Sequence, residues 1–242
     1  MALLAEQDRQ FLENHFAQTL AAPVKLLFFT QTIACQFCRE TGQILEEVAA
    51  LSDKITLETY NFVTDKEVAE RYGIDKIPAT VVMSDKDYGI RFYGIPSGYE
   101  FTSLIEDIVA VSHGESGLAD ETIAALDAIT EPIHLQVFVT PTCPYCPSAV
   151  RLAHSMAIAS ERVRADMVEA IEFPHLAHKY NVYGVPRTVI NEETHLEGAA
   201  PEPLLLAKVK EAVGLMTAEE VERLIEEMMR EGARIEEQPL EE

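Results

Sequence analysis

The stretch VTPTCPYCPSAV, residues 139–150, sets Cys143 and Cys146 two residues apart, directly behind the apolar run IHLQVFV (133–139). An earlier stretch, VKLLFFTQTIACQFC (24–38), has the same order and ends on Cys35 and Cys38. A shift of 108 positions maps Cys35 onto Cys143 and Cys38 onto Cys146. The same shift maps Pro78 of YGIDKIPATVV (72–82) onto Pro186 of YNVYGVPRTVI (180–190), Tyr72 onto Tyr180 and Thr80 onto Thr188. One unit is present twice.

Each copy reads strand, cysteine pair, helix, strand, helix, proline, strand, strand, helix. In the first copy the pattern predicts strands at 24–29, 55–61, 79–84 and 88–93, and helices at 36–50, 65–72 and 99–112. In the second it predicts strands at 133–139, 163–171, 187–191 and 194–198, and helices at 144–159, 173–180 and 201–213. An amphipathic helix leads each copy, near 5–20 and 119–130. The order implies an α/β fold whose early strands run parallel through a helical crossover and whose last two form an antiparallel pair.

The turn-forming SHGESG (112–117) separates the copies, giving expected units 1–117 and 118–214 and an extension 215–242. In the extension, TAEEVERLIEEMMREG (217–232) opens with Thr217 and Glu220 at capping-box spacing. It predicts an amphipathic helix that packs on the second unit or binds a partner. The acidic end, IEEQPLEE (235–242), is expected to be disordered.

With 19 Lys and Arg against 41 Asp and Glu, the formal net charge is −22, which repels nucleic-acid phosphates and anionic membrane surfaces. No stretch has the length and apolarity of a membrane span, and the first residues lack the pattern of a secretory signal. The chain reads as soluble and cytoplasmic, with neither nucleic acid nor membrane as a partner.

Four cysteines in two close pairs do not make the disulfide framework of a small secreted protein. A thiol at the start of a helix is favoured as thiolate by unpaired backbone N–H groups and the helix dipole, which lower a pKa of about 8.5 toward the range of about 3.5–7.5. Cys35 and Cys143 are thus the expected nucleophiles, and Cys38 and Cys146, set deeper, the resolving thiols. In both copies a proline stands 40 positions beyond the second cysteine, at the head of a strand. A cis X-Pro bond there would offer the backbone of Ile77–Pro78 and Val185–Pro186 to an incoming peptide.

Two other readings stand beside this one. The pairs could supply four zinc ligands, although each pair sits inside its own repeat, and no metal is expected. Each could instead be a structural disulfide, although a loop so short removes little chain entropy. Of the histidines, His15, His113, His134, His154, His175, His178 and His195, none has a cysteine or acid at clear ligand spacing.

FVTPTCPYCPSAVRLAH (138–154), DMVEAIEFPHLAHKYNVYGVP (166–186) and KLLFFTQTIACQFC (25–38) resemble the protein disulfide oxidoreductases, or glutaredoxin-like proteins, of thermophilic archaea and bacteria. CPYC is the glutaredoxin-type motif, and the resemblance covers about residues 1–214. It implies two tandem thioredoxin-fold units, each a mixed four-stranded sheet flanked by helices, followed by a C-terminal helical extension. It also implies a thiol–disulfide oxidoreductase acting on protein disulfides, fed by a thioredoxin reductase-type flavoprotein, with no cofactor beyond its redox-active disulfides.

The family pattern carries the nucleophile role to Cys35 and Cys143, the resolving role to Cys38 and Cys146, and substrate contact to Pro78 and Pro186. Thioredoxins also hold a buried acid six residues before the first cysteine, where this chain has Phe29 and Val137. Glu58 and Asp166, on the second strand of each copy, are the substitute candidates for that proton relay. QF lacks the proline of PY, so the two pairs are expected to differ, with Cys143–Cys146 facing substrate. The alternative is an electron-transfer module between a flavoprotein and a peroxidase-type partner, similar to the module of alkyl hydroperoxide reductase, which keeps a single CxxC. A polypeptide-binding chaperone with incidental cysteines is a third reading.

Overall fold

The computed structural model describes residues 3–236. Helix α1 (Glu6–Thr19) leads into β1 (Val24–Thr30), α2 (Cys38–Ala49), β2 (Ile55–Asn61), α3 (Lys66–Arg71), β3 (Ala79–Met83), β4 (Asp87–Tyr93) and α4 (Glu100–His113). The order then recurs as α5 (Asp120–Asp127), β5 (Ile133–Val139), α6 (Cys146–Ala159), β6 (Val163–Glu169), α7 (Pro174–Lys179), β7 (Arg187–Ile190), β8 (Thr194–Glu197) and α8 (Glu202–Ala212). A last helix, α9 (Ala218–Glu236), follows.

The eight strands form one sheet in the order β2-β1-β3-β4-β6-β5-β7-β8. Within each repeat the first two strands pair in parallel and the last two are antiparallel, as the sequence implies. The two four-stranded groups are not separate: β4 pairs in parallel with β6, Ile90 opposite Ala165 through Tyr93 opposite Val168. The burial of these strands explains the join. β4 buries Ile90, Arg91, Phe92 and Tyr93, and β6 buries every residue except Arg164, which is partly buried. By contrast, β2, the counterpart of β6, carries partly exposed polar residues and ends the sheet as an edge strand.

Alternate residues of each strand serve opposite faces. Leu26, Phe28, Leu135 and Val137 pack against α1, α2, α4, α5, α6 and α8 on one face. Leu27, Phe29, Tyr93, Phe138 and Val168 face Ala69 of α3, Ile74, and Phe173 and Tyr180 flanking α7 on the other. All the cysteines therefore stand at one end of a shared sheet, beyond the C-terminal ends of β1 and β5.

Most element boundaries shift by one to three residues from the expected ones, and two of the shifts bear on the cysteines. The helices after the cysteine pairs begin at Cys38 and Cys146, not at 36 and 144, and the proline in the first turn of α6 is Pro147 rather than Pro144. At the C-terminus the capping box forms, with Thr217 N–H donating to Glu220 at 2.8 Å and Glu220 N–H to the Thr217 hydroxyl at 3.3 Å. Helix α9 lies against α8 with Val221 buried, while Met229 stays exposed. It runs to Glu236, into the stretch expected to be disordered; residues 237–242 lie outside the described residues. No helix among the described residues is long and apolar enough to cross a membrane.

Candidate functional site

Cys35 bonds to Cys38 and Cys143 to Cys146, each pair with Cα atoms 5.5 Å apart. In both repeats the first cysteine lies in the turn before the helix, and the second is the first helical residue. The resolving positions are the deeper ones: Cys38 and Cys146 are buried, at 4% and 0% exposure. Cys35 is partly open, whereas Cys143 is covered, at 7%. The loop before the first pair turns through Ala34, whose φ of 59° lies in the left-handed region; its repeat counterpart, Thr142, does not share this conformation.

Both proline-preceding bonds, Ile77–Pro78 and Val185–Pro186, are cis. Each loop is fixed from behind, Gly94 N–H donating to the Pro78 carbonyl at 2.9 Å and Gly198 N–H to that of Pro186 at 2.8 Å. The Val185 carbonyl oxygen lies 3.7 Å from Cys143 Sγ, and Cys35 lines one cavity with Ile77 and Pro78. The structure thus brings each cysteine pair beside its cis-proline backbone. Apolar side chains stand out to solvent in these loops: Ile33 beside the first pair, and Tyr145 and Tyr183 (92% exposed) beside the second. Such side chains suit a peptide laid across the site.

The expected proton relay is not built. Glu58 is on an edge strand, held by the Tyr60 hydroxyl at 2.6 Å and by Lys25 at 3.0 Å, which keep its pKa below the ordinary carboxylate range. Asp166 is fully buried, yet its partners are His134 at 2.7 Å and Arg164 at 2.9 Å. Burial alone would push the Asp166 carboxyl up, but the His134 hydrogen bond and the Arg164 charge bring it down to about 2. A carboxylate so stabilised is a poor proton acceptor, and both acids engage these partners rather than a cysteine. Asp166 belongs to the seam between the repeats, where Arg164 also reaches the Tyr93 hydroxyl at 2.6 Å and the Gly73 carbonyl at 3.0 Å.

Two groups at the seam are given no role by the sequence. His154 is wholly buried and meets Asp107 at 2.5 Å, joining α6 to α4. Glu172 lines the first cavity together with Cys35, although it belongs to the second repeat. The only signal for it is a difference between the copies: positions 169 and 172 are glutamates where 61 and 64 are Asn and Thr. Among the described residues no group of three or more His, Cys, Asp or Glu is placed to hold a metal ion. A cavity of about 920 Å³ lies at the other end of the sheet, by His134 and Arg162, away from all four cysteines.

The model of the thioredoxin domain matches residues 133–211. A protein disulfide oxidoreductase from Aeropyrum pernix is 30% identical, with a TM-score of 0.82 over 88% of this chain and 96% of that one. The NTD_N/C domain of alkyl hydroperoxide reductase AhpF from Enterococcus faecalis is 31% identical, with a TM-score of 0.77 over 84% of this chain and 98% of that one. Among curated relatives, the AhpF component of alkyl hydroperoxide reductase from Pseudomonas aeruginosa is 26% identical over 76% of this chain. The chain spans 33% of that relative's length. Two CxxC pairs at the ends of parallel-paired strands, each beside a cis-proline, make the molecule a thiol–disulfide oxidoreductase, and the chain belongs to the tandem thioredoxin-fold family of protein disulfide oxidoreductases.

Proposed function

We propose that the protein reduces protein disulfides through both CxxC pairs, with Cys35 and Cys143 as nucleophiles, Cys38 and Cys146 as resolving thiols, and a flavoprotein reductase as electron source. The observation that carries this reading is that both repeats keep the whole arrangement: a dithiol at a helix start and an adjacent cis-proline backbone. The thiolate of the first cysteine attacks a substrate disulfide, and the second cysteine then attacks the mixed disulfide and releases the reduced substrate. The backbone at Ile77–Pro78 and Val185–Pro186 holds the substrate as an added strand. No cofactor besides the two disulfides enters this cycle, which suits the reducing cytoplasm.

The second pair is the substrate-facing one in this reading. Its flank ends at the edge strand β8, and Tyr145 and Tyr183 stand free beside it, whereas Ile171, Glu172 and Pro174 wall the first pair. Cys143 is itself more covered than Cys35, so it is the exposed Tyr145 and Tyr183 beside it that favour the second site. The likeness to the AhpF component of alkyl hydroperoxide reductase supports a second reading, in which the chain hands electrons from a flavoprotein to a peroxidase-type partner.

Dithiothreitol-driven reduction of insulin tests the first reading. Cys143→Ser/Cys146→Ser should lose about tenfold or more, and Cys35→Ser/Cys38→Ser clearly less. Wild-type protein that reduces a peroxidase disulfide but not insulin would turn the assignment to the second reading.

A further inference from the structure

The first cysteine pair is walled by the second repeat. A cavity of about 370 Å³ is bounded by Cys35, Ile77 and Pro78 on one side and by Ile171, Glu172 and Pro174 on the other. This follows from the strand order: β4 pairs with β6, so the loop after β6 lies against the cis-proline loop of the first repeat. The equivalent loop of the first repeat follows the edge strand β2, and among the described residues no further repeat lies beside the second pair. The two sites therefore differ by one wall.

Glu172 is held firmly in that wall. Its Oε1 accepts the Ile95 N–H at 2.6 Å, one residue beyond Gly94, whose own N–H holds the Pro78 carbonyl. Gly94 is buried, with φ of 98°, and a side chain there would stand 2.6 Å from the Glu169 Cβ and 2.8 Å from Glu172 Oε1. The absence of a side chain lets both acids of the second repeat reach the back of the first site. Glu169 accepts the Glu172 N–H at 2.6 Å through one oxygen, and its other, buried oxygen has no partner among the described residues.

We propose that Glu172 is the proton-exchanging carboxylate of the Cys35–Cys38 site, supplied across the seam by the other repeat. This inference rests on the oxidoreductase reading above. As carboxylate, Glu172 takes the proton of the reduced Cys35 thiol. The Cys35 thiolate forms a bond to one substrate sulfur, the substrate S–S bond breaks, and its electron pair leaves on the second sulfur, which takes the proton back from Glu172. Cys38 then attacks Cys35 Sγ, closing the disulfide, and its proton goes to the departing sulfur. Two electrons pass from the dithiol to the substrate, giving two thiols.

Burial pushes the Glu172 carboxyl up to about 7, against the opposing Ile95 hydrogen bond and helped by the neighbouring Glu169 charge. That value suits a group that must both accept and return a proton at neutral pH. Glu169 is the charged group facing it from its own segment, and its pKa is raised by burial too. From the cis-proline loop, Lys76 is engaged with Asp75 and the face of Tyr93. From α7, His175 packs on Phe173. From the cysteine loop, Cys35 lines the same cavity.

The test uses the Cys143→Ser/Cys146→Ser protein, which leaves one dithiol, and two probes: oxidised glutathione, with alkyl leaving thiols, and 5,5′-dithiobis(2-nitrobenzoate), whose leaving thiol is acidic and needs no proton. Single-turnover rates are followed from about pH 5 to about pH 9. Glu172→Gln keeps an acceptor for Ile95 N–H, and should slow glutathione by about tenfold or more, remove the inflection near pH 7, and slow the aromatic probe, which uses only the first of the two proton transfers, clearly less. Glu172→Asp, which keeps a carboxylate, should retain the inflection.

Both probes are anions, so a purely electrostatic role would show as both accelerating when the charge is removed, and a purely structural role as both slowing equally. Either result, or no change, overturns the proposal. Failure of the parent protein to react with either probe would instead overturn the oxidoreductase reading of this pair.

Discussion

Arg164 of β6 donates to the hydroxyl of Tyr93 of β4 at 2.6 Å, a bond that crosses the line where the two repeats share their sheet. Arg164 is anchored on its other side by the fully buried Asp166, which His134 also holds. The acid that the repeat offers as a catalytic relay is thus a structural anion, required because a cation has been brought to the seam.

Asp166→Asn should therefore destabilise the protein by about 3 kcal/mol, since it leaves Arg164 at the seam without its counter-charge. Urea unfolding at neutral pH measures this. The Asp166 pKa is lower in the folded protein than in the unfolded chain, so its contribution is complete above about pH 4 and is lost as the pH falls through about 2. The loss amounts to about 2 kcal/mol. Wild-type protein should lose it on acidification, and the Asp166→Asn variant should not. Oxidoreductase activity at pH 7 in the folded variant should persist, since the carboxylate serves no cysteine.

Glu100 gives the opposite pH dependence. Burial raises it from the ordinary 4.5 to about 7, against the hydrogen bond from Ser103, and its Oε1 has no partner among the described residues. A carboxyl raised in this way favours the folded state while protonated, so stability is full below about pH 4.5 and declines as the pH rises through about 7. Glu100→Gln should raise stability by about 2 kcal/mol at about pH 8 relative to its effect at about pH 5, as read from melting midpoints in the two buffers.

Gly94→Ala should harm stability and the first site together. The added methyl meets Glu169 and Glu172 from backbone with a left-handed φ, which costs about 2 kcal/mol or more. The variant should unfold at lower urea. Cys35 in the folded fraction should lose the pH 7 inflection expected of its exchange rate, while exchange at Cys143 keeps its pH profile.

The repeat is legible in the sequence because cysteine spacing, the trailing proline and strand periodicity recur together, and each answers to local chemistry. The cis bonds at Pro78 and Pro186 follow from a proline at a strand head beside thiols. The join between repeats is not legible in the same way: β2 and β6 occupy the same place in their copies, and only the burial of β6 on both faces tells a shared strand from an edge one. Glu58 and Asp166 mislead for this reason, because matching positions suggest a matching role, whereas one strand faces water and the other lies mid-sheet. Glu172 is hidden in the same way, since its neighbours lie in the other repeat.

Turnover by this protein depends on both pairs being redox reagents rather than structural links. The reduction potential of each pair decides this, taken on Cys35→Ser/Cys38→Ser and Cys143→Ser/Cys146→Ser proteins equilibrated in glutathione or dithiothreitol buffers. Both pairs should titrate reversibly and with different potentials, values near about −270 mV marking a reductase and values near about −180 mV or above an oxidase or isomerase. Two pairs that never exchange with the buffer would refute the redox assignment.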